Sequence, residues 1–268
     1  MPTDDRSLEI GYGPRPGLVL HRGVRLLSIA LAMYAIGAAA GAVSAGLGYA
    51  TTRLLYPART ESSLQLGFAV AFYAAVVLDF GALVLFLAGS GQLLRTRGSA
   101  PPQVGRMVRG HRVAAFVGFG LAIASVPLVY LGAFSCLDCG FSLPNRGGVF
   151  AAGVLLLGLG ALSLLIAVLL PALAFASKGD ARVVVAAAAL GFAGVLGETL
   201  SAATLVTRTE TNLDWIVFGG IPILNFGPLF GSVVAVSSGL MAWSYRRIAM
   251  RPMDLAGDPG LPPPHPSG

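Results

Sequence analysis

Six long apolar runs constrain the fold of this chain more than any other feature. Each run exceeds the roughly 20 residues that a helix needs to cross a bilayer. Because the bilayer core offers no water to satisfy backbone polar groups, spans of this kind are helical. We therefore predict an all-α, polytopic transmembrane helical bundle of about six membrane-spanning helices, placed at 24–49, 64–88, 113–134, 149–176, 182–207 and 215–245.

Composition places the chain in the membrane class. Charged residues make up only 11% of the sequence, whereas soluble domains carry about 25%. The net charge of +6 comes from arginines between the apolar runs, so it indicates membrane topology, and no nucleic-acid partner is predicted. We divide the chain into a cytoplasmic N-terminal tail (1–21), a six-helix transmembrane domain (22–248) and a Pro-rich disordered cytoplasmic tail (249–268).

The distribution of basic residues predicts the orientation. Cytoplasmic loops carry an excess of Lys and Arg. If both termini are cytoplasmic, the inner segments hold 14 of the 18 basic residues. Rich Arg, Ala and Gly usage is typical of GC-rich bacterial genomes, so we expect a bacterial inner membrane. The four basic residues left for the outer segments are Arg53, Arg59, Arg146 and Arg208.

Two carboxylates inside the predicted spans are the sharpest functional signal. Asp79 lies in the second span and Glu198 in the fifth. A charge at the bilayer centre costs at least about 2.5–3.5 kcal/mol, so such residues usually serve a function. One hypothesis is a proton or cation site shared by the two acids. The alternative is a protonated carboxyl group that bonds to a neighbouring helix or to a partner subunit.

Asn225 is a further candidate for an ion site. It lies between Pro222 and Pro228, which each remove a backbone donor and free carbonyl groups. One interpretation is that those carbonyls and the Asn225 amide line a site; the other is a kinked helix whose Asn bonds to a neighbour. Other polar groups in the spans are scarce, which suits a proton, a small ion or an apolar compound better than a polar solute.

Small residues predict where helices pack closely. Glycines spaced three or four apart let helix backbones approach one another, which also suits homo- or hetero-oligomeric membrane partners. Asp79 in span two and Glu198 in span five would correspond in an inverted repeat of three plus three helices, a device of transporters. The glycines that we assign to helix packing are Gly37, Gly41, Gly191, Gly194, Gly227 and Gly231.

The two cysteines, Cys136 and Cys139, fall in the outer loop after the third span. A disulfide is permitted outside the cytoplasm; free thiols, a redox pair and half of a metal site are the alternatives. The three histidines, His21, His111 and His265, are expected in the inner segments and not inside a span. No metal site and no cofactor are predicted.

Two functions follow from these features. Nucleotide-binding and hydrolase motifs are absent from the sequence, so we do not expect an enzyme. The first hypothesis is a non-catalytic subunit or scaffold of a membrane complex, favoured by the scarcity of polar groups in the spans. The alternative is a small ion- or proton-coupled transporter or channel that uses Asp79 and Glu198. A common internal cavity for both acids would favour transport, and lipid-side grooves would favour a docking surface.

Overall fold

The fold was analysed in a computed structural model, which describes residues 16–54, 61–95, 102–134, 146–208 and 227–250. These residues are almost entirely helical and form a bundle, which confirms the predicted all-α class. The helices are α1 (Pro16–Leu54), α2 (Glu61–Arg95), α3 (Pro102–Phe134), α4 (Arg146–Phe175), α5 (Lys178–Arg208) and α6 (Gly227–Ala249).

Five of these helices, α1 to α5, are long and apolar enough to cross a membrane. The protein is therefore a multi-pass membrane protein. The described part of α6 has 23 residues and is not among the five. It carries four serines and ends in Arg246 and Arg247, while the start of the predicted sixth span lies in 209–226, outside the described residues.

The helices start earlier than the hydropathy pattern alone predicts. α1 begins at Pro16 and α3 at Pro102; proline suits the first helical position because its missing N–H would be unpaired there anyway. Residues 16–21, predicted as tail, are therefore helical. Pro127 and Pro171 lie inside α3 and α4 without ending them, as membrane helices tolerate.

The six helices form a ring in chain order. Each helix packs antiparallel against the next one, and α6 closes the ring against α1, whereas α2 and α3 contact each other only sparsely. The start of α1 and the end of α6 therefore lie at one end of the ring, which we call the terminal end; the opposite end is the distal end. Facing glycines pair at two close crossings, Gly23 with Gly89 between α1 and α2, and Gly118 with Gly160 between α3 and α4.

The apolar core fills the terminal half of the ring. Every helix contributes buried side chains to it, from Leu27 of α1 to Ile248 of α6. Three long-range hydrogen bonds stabilise this half. The Ser28 hydroxyl donates to Ala242 O at 2.9 Å, the Ser237 hydroxyl to Ala187 O at 2.7 Å, and the Tyr245 hydroxyl to Val168 O at 2.6 Å.

An ion pair joins the start of α5 to the end of α6. Ser177 caps α5: its hydroxyl accepts from the Asp180 N–H at 3.4 Å and donates to the Asp180 carboxylate at 3.0 Å, an arrangement that satisfies free donors of the first turn. The Asp180 carboxylate is buried and pairs with Arg247 at 3.5 Å. The Arg247 guanidinium also lies 4.8 Å from the centre of the Trp243 ring.

We expect Tyr245→Phe to lower the free energy of unfolding by about 1 kcal/mol, the usual worth of one hydrogen bond between membrane helices. Because Tyr245 is fully buried, no water can take the place of its hydroxyl beside Val168 O in the variant. Thermal unfolding in detergent measures the effect. The matched control is Tyr73→Phe on the exposed face of α2, and an equal effect of the two substitutions would contradict the assigned bond.

Candidate functional site

Tyr34, Asp79 and Glu198 come together from three helices. The Tyr34 hydroxyl of α1 lies close enough to interact electrostatically with the carboxylates of both Asp79 on α2 and Glu198 on α5. The ring order explains this meeting, because α2 and α6 flank α1 and α5 follows on the far side of α6. Tyr34 is therefore the residue whose surroundings include both acids.

Tyr34 points into the ring. The exposed apolar residues of α1 in this region are Ile29, Ile36 and Val43, which are seven residues apart and so form one stripe. At about 100° of rotation per residue, Tyr34 lies on the opposite side of α1. It is nevertheless 37% exposed. A side chain that faces away from lipid and still has accessible surface lines an internal gap, which we call the acidic gap.

Asp79 lies at the contact of α2 with α1. The side chain is exposed, and it shares a side of α2 with the exposed Phe72, seven residues before it, and with the buried Phe86, seven residues on. Its carboxylate rests directly on Gly37, where an added Cβ would collide with Oδ1 and lie 3.2 Å from Cγ. Other exposed apolar residues form a stripe on a different side of α2: Leu66, Val70, Tyr73, Val77, Phe80, Val84 and Leu87.

Glu198 lies on α5. Its side of α5 continues the buried row of Ala187 and Gly191, whereas the exposed residues Val185, Leu196 and Leu200 lie on the other side of the helix. The residue before Glu198, Gly197, packs against Phe230 of α6. The residue after it, Thr199, packs against Gly158 of α4. Glu198 therefore lies between the two helix contacts of α5, and its side chain is exposed.

The acidic gap lies on the distal side of the apolar core. Tyr34 follows the buried Leu27 by seven residues, and Asp79 precedes the buried Phe86 by seven. Each pair is separated by two helical turns, or about 10 Å. The terminal half also holds buried polar side chains, among them Ser90, His111 and Asp180. The Asp79 and Glu198 carboxylates can each bind and release a proton.

Five of the six predicted packing glycines lie at helix contacts. Gly37 and Gly41 of α1 face Asp79 and Ala75 of α2. On α5, the Cβ position of Gly191 is 2.6 Å from Ser237 Oγ, and that of Gly194 is 2.8 Å from Val234 Cγ2. Gly231 of α6 approaches Ala42 of α1 at 3.2 Å, and Gly227 is the first residue of α6.

The expectation that no histidine lies inside a span is wrong for His111. This residue belongs to α3 and falls in its membrane-spanning part, Gly105–Gly132. Its side chain is fully buried. The apolar run begins only at residue 113, but the helix starts at Pro102 and carries His111 into the core. The i, i+4 spacing of His111 and the buried Ala115 is the signal that would have identified it.

Three predicted site residues fall outside the described part of the chain. They are Asn225, Cys136 and Cys139, so an amide contribution to the site and a disulfide stay predictions. Within the described ranges, no three His, Cys, Asp or Glu side chains are grouped so that they could hold a metal ion.

Comparison with known proteins gives no relative. No family model matches the chain, and neither a curated protein nor a solved structure matches it significantly.

Proposed function

We propose that this protein is a small proton-translocating membrane carrier or channel, with Asp79 and Glu198 as its proton-binding groups. The proposal is supported by two acids within apolar helices, Asp79 against Gly37 of α1 and Glu198 between the contacts of α5 with α4 and α6, with Tyr34 near both. Acids from separate helices that share an internal gap suit transport, whereas a docking surface would turn them toward lipid-side grooves. Intramembrane ionisable residues of this kind commonly mark proton relays.

The chemistry of the acidic gap favours a proton over larger solutes. A site for a sugar or an amino acid needs several convergent polar groups, and Ca²⁺ takes about six to eight oxygen ligands. Tyr34, Asp79 and Glu198 supply one hydroxyl and two carboxylates. Three such groups are sufficient to bind a proton and to pass it from one carboxylate to the other.

A scaffold role is the second candidate function, and one feature favours it. Phe68, Phe72 and Tyr73 form a contiguous exposed aromatic cluster on α2, with ring centres 6.2 Å and 5.6 Å apart. Such a face suits a partner helix in a homo- or hetero-oligomer. Under this alternative the carboxylates serve helix packing and no ion crosses the bilayer.

Reconstitution separates the two candidates. Purified protein in liposomes that contain a pH-sensitive dye is given an inside-negative potential by a potassium gradient and valinomycin. We expect proton uptake well above that of protein-free liposomes, without matching sodium uptake. Uptake at the protein-free rate, together with stoichiometric unlike partners in native mass spectrometry of gently extracted protein, would instead establish the scaffold role.

We also propose a bacterial inner membrane and cytoplasmic termini. The support is the positive-inside rule, together with exposed basic side chains clustered at the terminal end of the ring. We expect a C-terminal fluorescent-protein fusion to fluoresce and a C-terminal alkaline phosphatase fusion to be inactive; the reverse result would contradict this orientation. The cluster comprises Arg22, Arg25, Arg95, Arg106, Arg109, Arg112, Lys178, Arg182, Arg246 and Arg247.

A further inference from the structure

His111 is a buried imidazole with one free nitrogen. Its Nδ1 lies 2.6 Å from Ala167 O on α4. A carbonyl oxygen only accepts, so Nδ1 carries the proton and Nε2 of the neutral ring is an acceptor. Nε2 is buried and has no hydrogen-bond partner among the described residues. An unpaired buried polar atom is costly, and it usually indicates a function or a bound water.

Ser90 of α2 presents a second atom of the same kind. Its hydroxyl is buried and also has no hydrogen-bond partner among the residues that the structure describes. These are the two such side-chain atoms in that part of the chain. Ser90 follows Asp79 by eleven residues, which is about three helical turns, so both lie on one side of α2.

Phe86 separates these two groups from the acidic gap. Its ring packs against His111 and Phe119 of α3, with ring centres 5.8 Å and 5.7 Å away. His111 is nearer the terminal end than Phe119, and Ser90 is one turn nearer that end than Phe86. His111 and Ser90 therefore lie on the terminal side of the Phe86 ring, and Asp79 lies two turns away on its distal side.

We propose that His111 is a second proton-binding station of the same pathway, with Ser90 beside the route and Phe86 as the apolar barrier between this station and the acidic gap. The inference rests on the proposed function and adds the terminal half of the route. It follows the α2–α3 seam, where helix contacts are sparse and where the Phe86 ring of α2 contacts His111 of α3.

The proton balance at His111 is simple. The O–H bond of protonated Asp79 breaks, water molecules carry the proton past the Phe86 ring, and the proton bonds to the lone pair of Nε2 to give an imidazolium. The same N–H bond then breaks, the proton moves to water on the terminal side, and the neutral ring returns. Nδ1 keeps its proton and its bond to Ala167 O throughout, so the ring need not turn.

The test compares proton uptake of full-length variants in the same liposomes. His111→Asn keeps an N–H donor near the position of Nδ1 but has no nitrogen that can be protonated. We expect uptake to fall at least about tenfold, since a positioned proton-transfer group is typically worth about 10²–10⁴-fold. Ser90→Ala should lower uptake as well. The matched control is Ser125→Ala, a buried serine of α3 that bonds within its own helix, and it should retain wild-type uptake.

Each outcome decides the question. Wild-type uptake in both His111→Asn and Ser90→Ala, with uptake lost in the Asp79 and Glu198 variants, would overturn the second station and leave the proposed function standing. No uptake by the wild-type protein would overturn both. If His111→Asn does not fold, Ser90→Ala measured against Ser125→Ala decides alone.

Discussion

The double substitution Asp79→Asn and Glu198→Gln should abolish proton uptake into liposomes and leave the protein folded. Both amides are close in size to the carboxyl groups that they replace, so the contact with Gly37 and the neighbourhood of Tyr34 persist. Neither amide binds a proton at neutral pH. We expect the rate to fall to that of protein-free liposomes, because no proton-binding group is left in the acidic gap.

The single variants test whether the two acids act together. If the carboxylates pass one proton between them, either Asp79→Asn or Glu198→Gln alone should remove most of the uptake. The control is Glu61→Gln, which makes the same change of charge on α2 but precedes the membrane-spanning part, Leu66–Arg95. It should transport like the wild type. Wild-type uptake in the double variant would show that the acids play no part in transport.

A single methyl group at the α3–α4 crossing should destabilise the bundle. In Gly118→Ala the new Cβ would lie 2.9 Å from Gly160 O and 2.7 Å from Leu164 Cγ. A backbone oxygen cannot turn away as a side chain can, so the two helices must separate. Overpacking of this kind costs about 1–3 kcal/mol, and chemical or thermal unfolding in detergent measures it.

Gly120→Ala is the matched control on the same helix. No atom lies within 4 Å of its added Cβ, and alanine is the better helix former by about 0.5–1 kcal/mol. We expect this variant to be as stable as the wild type or slightly more stable. If Gly118→Ala were equally harmless, the close approach of α3 to α4 would be wrong.

The helices could be predicted from the sequence, because hydrophobic length alone determines a membrane span. The position of Tyr34 near both carboxylates could not be predicted from the sequence. The residue is one of seven tyrosines, and its side of α1 becomes significant only when the exposed stripe of that helix is known. The same holds for Gly37: its spacing predicts helix packing, but the structure shows that it makes room for the Asp79 carboxylate.

His111 was misplaced for a different physical reason. Hydropathy marks where lipid begins, and arginines on both sides of His111 place that boundary at residue 113. Helices extend beyond the apolar run, however, and Arg106, Arg109 and Arg112 are exposed while His111 turns inward. The proximity of Asp79 and Glu198 needed the order of helices around the ring, which no local pattern encodes.

The ring order also determines when the site can exist during synthesis. The α1–α2 and α3–α4 hairpins can form as soon as each pair has entered the membrane, because their partners are adjacent in the chain. Glu198, in contrast, is brought near α1 only when α6 inserts between α5 and α1. A nascent chain that still lacks α6 therefore has Tyr34 and both carboxylates, but not the helix that joins α5 to α1.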